Sequence, residues 1–384
     1  MISATTQLAS DAALTAPKQD ARPHLAGPVI DFLLLGGGSL LVLGCLALTR
    51  PGPTIFVPLA AMSLVLAHFI NHPHFAASYQ IFYRDFGDKA FGTHGDRQLR
   101  ARYVFAGIVI PALLMGFFTL TLFTADPRRM AWAASLMLLL VGWHYVKQGY
   151  GIFIVGSVLQ RRFLDKREKG VFLANAYACW TTYWLAANWM VSERNLWGLR
   201  HYMLKIPDAV LIAAISFAAC TSVMAAFTVY RRLRQGKGIS TNGAVAYFTT
   251  VYIWLFLLLN PLYALLIPAF HSLQYLAVVW RFQSNRETAL NSADSLSNAA
   301  RQLPFAGSPR MRLAIFWLTS MILGYLGFWA LPEFLNSFEF KVGKAFGPEL
   351  FLFIFWTFIN IHHYFLDNVM WRKENKETAR YLFR

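Results

Sequence analysis

The sequence predicts an all-α fold, a polytopic transmembrane helix bundle of about ten spans with both termini in the cytoplasm. Apolar residues make up 57% of the 384-residue chain and charged residues only 14%, against roughly 45–50% and about 25% in soluble domains. The apolar residues form repeated stretches of about 20, the length that crosses a hydrocarbon core. Because lipid offers the backbone no hydrogen-bond partner, such stretches must be helical.

The chain divides into three parts: a polar, mobile N-terminal segment (1–26), a transmembrane helical domain (27–373) and a basic cytoplasmic tail (374–384). Asn260–Pro261 separates the seventh and eighth spans, which would otherwise form one apolar region too long for a single crossing. Gly36–Gly37–Gly38 in the first span predicts close helix packing. The predicted spans are 28–49, 53–83, 102–125, 130–158, 171–192, 208–230, 243–260, 262–282, 311–332 and 349–372.

The positive charges support this topology independently. With the N-terminus inside, 26 of the 35 Lys and Arg residues fall on inner segments, eight fall on outer segments, and Lys147 lies within a span. That asymmetry is what the positive-inside rule requires of ten helices with both ends cytoplasmic. The net charge of +16 therefore indicates topology and contact with anionic lipid, and no basic stripe with interleaved aromatic residues predicts nucleic-acid binding.

Seven of the ten histidines lie in the even-numbered spans 2, 4, 8 and 10, which run in the same direction in the predicted topology. Each group precedes the basic inner boundary of its span by 10 to 17 residues, or roughly 15–25 Å along the helix axis. Four helices therefore bring imidazole to one layer in the cytoplasmic half of the membrane. Ionisable residues inside a membrane are expensive and tend to mark function. The candidate metal ligands are His68, His72, His144, His271, His362, His363 and Asp367.

Spacing within the helices also suits a metal. His68 and His72 share a helix face, as do His363 and Asp367. Imidazole and carboxylate favour iron, zinc, copper or manganese, and the three cysteines form no CxxC pair that would indicate a thiolate site. Adjacent residues cannot share a face, so one of His362 and His363 is assigned to packing, and so is His74.

Tyrosines accompany three of these groups. Tyr145, Tyr275 and Tyr364 each lie close to a candidate ligand and are the candidate catalytic residues, with a role in core packing as the alternative. Lys147 follows His144 by one turn and is interpreted as a side chain that extends to the inner surface.

Four segments carry a family resemblance: HFINHPHF at 68–75, WHYVKQGYG at 143–151, HSLQYL at 271–276 and HHYFLD at 362–367. They look like segments of uncharacterised bacterial polytopic membrane proteins. Their style resembles membrane-embedded non-haem iron oxygenases, nearest the carotene-cleaving dioxygenases. The resemblance implies one iron held by histidines from separate helices, with O₂ and an apolar substrate from the bilayer. The histidine boxes of desaturases and alkane hydroxylases are absent, so no ligand assignment carries over.

The predicted function is that of an integral membrane metal-dependent oxidoreductase or oxygenase in the inner (cytoplasmic) membrane, acting on a lipidic or other apolar substrate. No Rossmann fingerprint is present, so any reductant is a separate electron donor or the quinone pool. Two alternatives remain open. One is a haem-b redox protein, for which two histidines on facing helices suffice. The other is a proton-coupled transporter that uses the His/Asp cluster.

Overall fold

A computed structural model describes residues 22–50, 52–93, 96–196, 199–292, 308–338 and 343–383. Residues 1–21 of the predicted N-terminal segment, and His94, lie outside this range. Within it the chain forms ten long helices, which confirms an all-α polytopic bundle. They are α1 (Pro28–Thr49), α2 (Phe56–Tyr83), α3 (Arg97–Thr124), α4 (Pro127–Leu159), α5 (Lys166–Met190), α6 (Asp208–Arg234), α7 (Thr241–Leu258), α8 (Pro261–Leu290), α9 (Pro309–Asn336) and α10 (Leu350–Met370).

Eight of the ten helices are long and apolar enough to cross a membrane, and α4 and α5 are the two that are less apolar. Both are nevertheless long, with 33 and 25 residues. Helix α4 has Arg128 and Arg129 in its first turn and Lys147 farther along. Helix α5 begins with four consecutive charged residues, Lys166–Lys169. Their lower hydropathy therefore reflects charged ends and polar residues that face the interior of the bundle.

Shorter elements connect the long helices. A two-stranded antiparallel hairpin, β1 (Glu193–Leu196) and β2 (Leu199–Tyr202), joins α5 to α6. The break predicted at Asn260–Pro261 is present: the backbone of Asn260 is extended, and its side chain accepts a hydrogen bond from the Leu262 N–H. The remaining short elements are helices Phe86–Phe91, Gly343–Phe346 and α11 (Lys376–Leu382), and the 3₁₀ turn Pro53–Ile55. The last part of α7 (Ile253–Leu258) and the first part of α8 (Pro261–Leu265) are also 3₁₀.

Four of the long helices contain one π-helical turn each, at Leu33–Gly37, Ala67–Asn71, Phe105–Val109 and Leu326–Ala330. Such a turn adds a residue to the helix and rotates everything that follows relative to a regular α-helix. The turn in α2 immediately precedes His72 and His74, so it changes which histidines face the interior.

The even-numbered helices α2, α4, α8 and α10 form the centre of the bundle. Helix α8 packs against α2 and α4, and α10 packs against the same two helices. Helices α8 and α10 are the most enclosed of the candidate spans, with 67% and 61% of their apolar windows buried. The odd-numbered helices and α6 pack around this centre. All the candidate histidines therefore lie on the four central helices.

Both described ends of the chain meet at the C-terminal half of α8. The guanidinium of Arg281 donates to the carbonyl oxygens of His24 and Leu382. Residues 24 and 382 therefore lie at the same end of the bundle, as an even number of spans requires.

Gly36 allows α1 to approach α7, and its replacement is expected to destabilise the fold. Its φ of +156° is rarely adopted by other residues, and an added Cβ would lie 2.6 Å from Thr249 Oγ1. We expect Gly36→Ala to lower the free energy of unfolding by about 1–3 kcal/mol, measured by thermal denaturation of the solubilised protein. Gly44→Ala in the same helix is the control, because its Cβ would meet nothing within 4 Å. Equal stability of the two variants would contradict this packing.

Glu377 attaches α11 to the bundle through three cations. Its carboxylate lies 3.0 Å from Lys89 Nζ, 3.1 Å from Arg84 Nη2 and 3.8 Å from Arg286 Nε. Burial raises the pKa of Glu377, but Lys89 and Arg84 more than offset that effect, so the pKa lies below its ordinary value. A lowered folded-state pKa means that this stabilisation is present above the unfolded value of about 4.3 and is lost as the pH falls through the folded value.

We therefore expect acid to release α11. A spin label at residue 379 should be immobile near neutral pH and become mobile only below the ordinary range of a glutamate. In Glu377→Gln the label should be mobile at every pH, since the amide cannot form the ion pairs. A label in that variant that stays immobile near neutral pH would show that other contacts hold α11.

Candidate metal centre

Four histidines, one from each central helix, form a closed ring of contacts. The centroids of neighbouring rings are 4.8 Å apart for His74 and His363, 5.0 Å for His363 and His144, 5.0 Å for His144 and His271, and 5.6 Å for His271 and His74. None of the four is more than 5% exposed, and Asp367 beside them is 7% exposed. Four imidazoles and one carboxylate are thus enclosed in the interior of the bundle.

The donor atoms of this cluster lie close enough together to converge on one ion. His363 Nε2 lies 3.2 Å from His74 Nε2 and 3.4 Å from Asp367 Oδ2, and His144 Nε2 lies 3.7 Å from the same carboxylate oxygen. With metal–nitrogen bonds of about 2.1 Å, adjacent ligands lie roughly 3.0–3.4 Å apart and opposite ligands about 4.2 Å apart. The donors of His144, His363 and Asp367 all lie within 4.8 Å of one another, so this buried group can hold a metal ion.

Hydrogen bonds outside the cluster fix the tautomer of His74. Its Nδ1 lies 2.6 Å from the carbonyl oxygen of Asn71 and 2.9 Å from Ser272 Oγ. A carbonyl only accepts, so Nδ1 carries the proton and Nε2 presents its lone pair to His363. A histidine ligand held through its other nitrogen by a backbone carbonyl is the usual arrangement in metal sites.

Several nitrogen atoms of the cluster have no hydrogen-bond partner. They are His144 Nε2, His363 Nδ1 and both ring nitrogens of His271. Buried polar side-chain atoms in proteins are nearly always hydrogen-bonded, and exceptions often mark a bound ion or water. A cation in the cluster would account for His144 Nε2 and for one nitrogen of His271, because a single imidazole offers one ion only one of its two nitrogens.

A second polar layer lies one helical turn farther along the central helices. Each of the four histidines is followed four residues later by a polar residue: Ser78, Gln148, Tyr275 and Asp367. The Tyr275 hydroxyl donates to Asp367 Oδ1 at 2.9 Å and lies 2.5 Å from Ser78 Oγ. Ser78, Tyr275 and Asp367 each follow a cluster histidine by four residues, and they meet. Helices α2, α8 and α10 therefore run in the same direction at this depth. Tyr275 fixes one carboxylate oxygen and leaves Oδ2 facing the histidines.

The two other candidate tyrosines form an aromatic wall around the cluster. Tyr145 stacks on His271 with centroids 3.8 Å apart, and Tyr364 stacks on His144 at 4.7 Å. The Tyr364 hydroxyl donates to Asn360 Oδ1 at 3.0 Å. Of the three candidates, only Tyr275 has its hydroxyl bonded to the cluster itself.

The structure places His68 and His72 outside the ring of four. His68 stacks on Trp329 and His72 on Phe328, with centroids 5.4 Å and 4.3 Å apart. Side chains two residues apart on a helix point in nearly opposite directions, so His72 faces α9 where His74 faces the interior. His74, which the sequence assigns to packing, instead contacts His271 and His363.

His362 also lies outside the ring of four. Its Nδ1 lies 2.8 Å from the Tyr79 hydroxyl and its Nε2 lies 2.9 Å from the Ala106 carbonyl oxygen. Because both ring nitrogens are hydrogen-bonded, His362 joins α10 to α2 and α3. Of the adjacent pair His362 and His363, the structure thus brings His363 into the cluster. Of the nearby pair His72 and His74, it brings His74 into the cluster.

A cavity of about 410 Å³ adjoins the cluster, and Tyr364 forms its wall on that side. Tyr364 separates the cavity from His144 by the thickness of one ring. The cavity is mostly lined by apolar and aromatic side chains of α4, α5 and α10. A small molecule bound there would lie next to the candidate metal centre.

Comparisons with protein-family models, with curated proteins and with solved structures give no match for this chain.

Proposed function

We propose that the chain is an integral membrane oxidoreductase that uses a non-haem iron to oxygenate a lipidic or other apolar substrate. The observation that carries this proposal is the buried group of His144, His363 and Asp367, with His74 Nε2 3.2 Å from His363 Nε2. Two histidines and one carboxylate with further positions open are the ligand set of non-haem Fe(II) oxygenases. The predicted location in the inner membrane, with substrate from the bilayer, fits the enclosure of this group.

The donor set suits iron or manganese, and iron is the metal of the proposed oxygenase chemistry. Imidazole also suits zinc and copper, but the charged carboxylate suits a hard ion such as iron or manganese. The absence of cysteine from the cluster, among the described residues, separates it from iron–sulfur and structural zinc sites.

Haem b fits this geometry poorly. In bis-histidine ligation the two Nε2 atoms lie on opposite faces of the porphyrin, about 4 Å apart on a shared axis. Here His74 Nε2 and His363 Nε2 are 3.2 Å apart, and each ring touches two others at centroid distances of 4.8–5.6 Å. The four rings leave no slot for a macrocycle, so the cluster favours a bare ion.

The roles of the protein groups follow from their contacts. When bound, iron would supply the redox chemistry with O₂. Asp367 would neutralise part of the charge of the ion, and Tyr275 orients that carboxylate through Oδ1. Asn71 holds His74 with its Nε2 lone pair toward the site. Burial excludes bulk water, which strengthens each of these electrostatic interactions.

Protein purified from aerobic, iron-replete cells tests the proposal. We expect about one iron per chain, no Soret band, and O₂ consumption that depends on iron and on an added apolar lipid extract. A Soret band would establish haem instead. Correctly folded protein without metal would contradict the proposal and would favour a carrier that uses the same histidines and Asp367 for proton coupling.

A further inference from the structure

The cavity beside Tyr364 has a polar end with two cations. Its walls include Leu140, Trp143, Trp180 and Phe365, and Asn368 lies at one end. Lys147 Nζ donates to Asn368 Oδ1, and Arg372 Nε donates to the backbone carbonyl of the same residue at 3.0 Å. An apolar chamber thus ends at Asn368, whose side-chain oxygen accepts from Lys147 and whose backbone carbonyl accepts from Arg372.

Lys147 has no anionic hydrogen-bond partner, although the Asp367 carboxylate is near enough to attract it. Its Nζ is bonded to a neutral amide and lies 4.5 Å from the centroid of the Trp143 ring. Within the part of the chain that the structure describes, it forms no ion pair. Charged residues inside membrane spans generally pair or mark a substrate path. An anion that replaced Asn368 Oδ1 as its acceptor would make a stronger, charge-assisted hydrogen bond.

The size and opening of the cavity limit what it accepts. A volume of about 410 Å³ lies near the low end of the roughly 300–1,000 Å³ found for small-molecule pockets, which suits one chain and not a two-chain phospholipid. Thr181, on the wall contributed by α5, is exposed at the outer surface of the bundle. A lipid chain can therefore enter sideways from the bilayer.

We propose that this cavity binds a single-chain lipid carboxylate, with its carboxylate on Lys147 and its chain along Trp143, Trp180 and Tyr364, as the substrate of the neighbouring centre. That the bound lipid is a substrate rests on the proposed function. Binding of the lipid itself needs no metal. Tyr364 lies one helical turn from Asn368, about 6 Å along the axis. The part of the chain that lies against Tyr364, which stacks on His144, is therefore only a few carbons from the carboxylate.

Binding can be measured with the fluorescent fatty acid cis-parinaric acid and the protein in phosphatidylcholine nanodiscs. Trp143 and Trp180 line the cavity, so tryptophan excitation should produce parinarate emission by energy transfer. We expect Lys147→Gln to raise the Kd at least about tenfold, which corresponds to about 1.4 kcal/mol. Lys166→Gln, at the exposed start of α5, should leave the Kd unchanged. Unchanged affinity in Lys147→Gln would overturn the proposal.

A second pair of variants tests the cavity without changing its charge. Leu140→Trp fills the chamber and should abolish energy transfer, whereas Leu136→Trp, one turn away on an exposed position, should not. Oleate should displace parinarate at lower concentration than oleyl alcohol. Equal displacement by the alcohol, or displacement by phosphatidate and not by oleate, would contradict a single-chain carboxylate.

The iron content of the same samples separates this inference from the proposed function. Lys147→Gln should retain iron, since Lys147 is not bonded to the cluster. Iron-loaded protein that binds no parinarate would overturn the substrate assignment alone. Metal-free wild-type protein that still binds parinarate through Lys147 would overturn the proposed function and leave the lipid site standing.

Discussion

Replacing His363 by alanine is expected to remove the metal. His363 is the central member of the cluster, because its Nε2 lies 3.2 Å from His74 Nε2 and 3.4 Å from Asp367 Oδ2, and its ring contacts that of His144. Changes to residues that merely support a ligand weaken metal affinity about 10–100-fold, so loss of the ligand itself should weaken it at least about 100-fold. Elemental analysis of the purified variant measures this directly.

His362→Ala is the matched control for this experiment. It changes the adjacent residue of the same helix. Both ring nitrogens of His362 are hydrogen-bonded, one to the Tyr79 hydroxyl and the other to the carbonyl of Ala106. We expect it to lower stability by about 1–2 kcal/mol and to keep its iron. If His363→Ala kept its iron while His362→Ala lost it, the assignment of the cluster would be wrong.

The largest effect on stability is expected at the buried ion pair of α5 and α6. Arg232 is 2% exposed, and its Nη1 lies 2.6 Å from Glu168 Oε2. Its Nε also donates to the carbonyl of Gly238. Arg232→Met leaves the buried Glu168 carboxylate without its main partner, so we expect the free energy of unfolding to fall by about 3–5 kcal/mol.

Two further variants separate the buried pair from its exposed neighbour. Arg231 lies 3.5 Å from the same carboxylate with an exposed side chain, so Arg231→Gln should cost at most about 1 kcal/mol. Glu168→Leu combined with Arg232→Met should recover much of the loss, because it removes both buried charges. Thermal denaturation in detergent measures all three. A loss for Arg232→Met no larger than for Arg231→Gln would contradict the burial of this pair.

The fold was predictable because membrane helices carry a strong signal in sequence. Ten apolar stretches correspond to ten helices, with ends that differ by a few residues. For example, the third helix begins at Arg97 and not at 102, since Asp96 caps it by accepting a hydrogen bond from the Gln98 N–H. The break at Asn260–Pro261 was also predictable, because proline cannot continue the preceding helix. The cytoplasmic location of the termini stays a prediction from charge.

The candidate site was predictable in part. A common depth for histidines on α2, α4, α8 and α10 follows from counting residues to the inner boundary, and His144, His271 and His363 do meet in the structure. The choice among the three histidines of α2 was not predictable by depth. The π-helical turn at Ala67–Asn71 rotates the helix after it, and apolar periodicity does not reveal such a turn.

One sequence signal favours His74 over His72 as the cluster member of α2. In each central helix the histidine that joins the cluster is followed four residues later by a polar residue of the second layer, as His74 is by Ser78. His72 and His362 are followed instead by Ala76 and Leu366. Because residues four apart share a helix face, this pattern marks the face that points to the interior. His68 also has a polar residue, His72, at that offset, so the pattern narrows the choice without completing it.

The central claim is that His74, His144, His363 and Asp367 hold one iron, and X-ray absorption at the iron K edge tests it most directly. We expect a first shell of nitrogen and oxygen only, near the roughly 2.0–2.1 Å of metal–imidazole bonds, with the outer-shell scattering of at least two imidazole rings. That scattering should disappear with the iron in His363→Ala and persist in His362→Ala. A first shell without imidazole, or with sulfur, in the wild-type protein would contradict the claim.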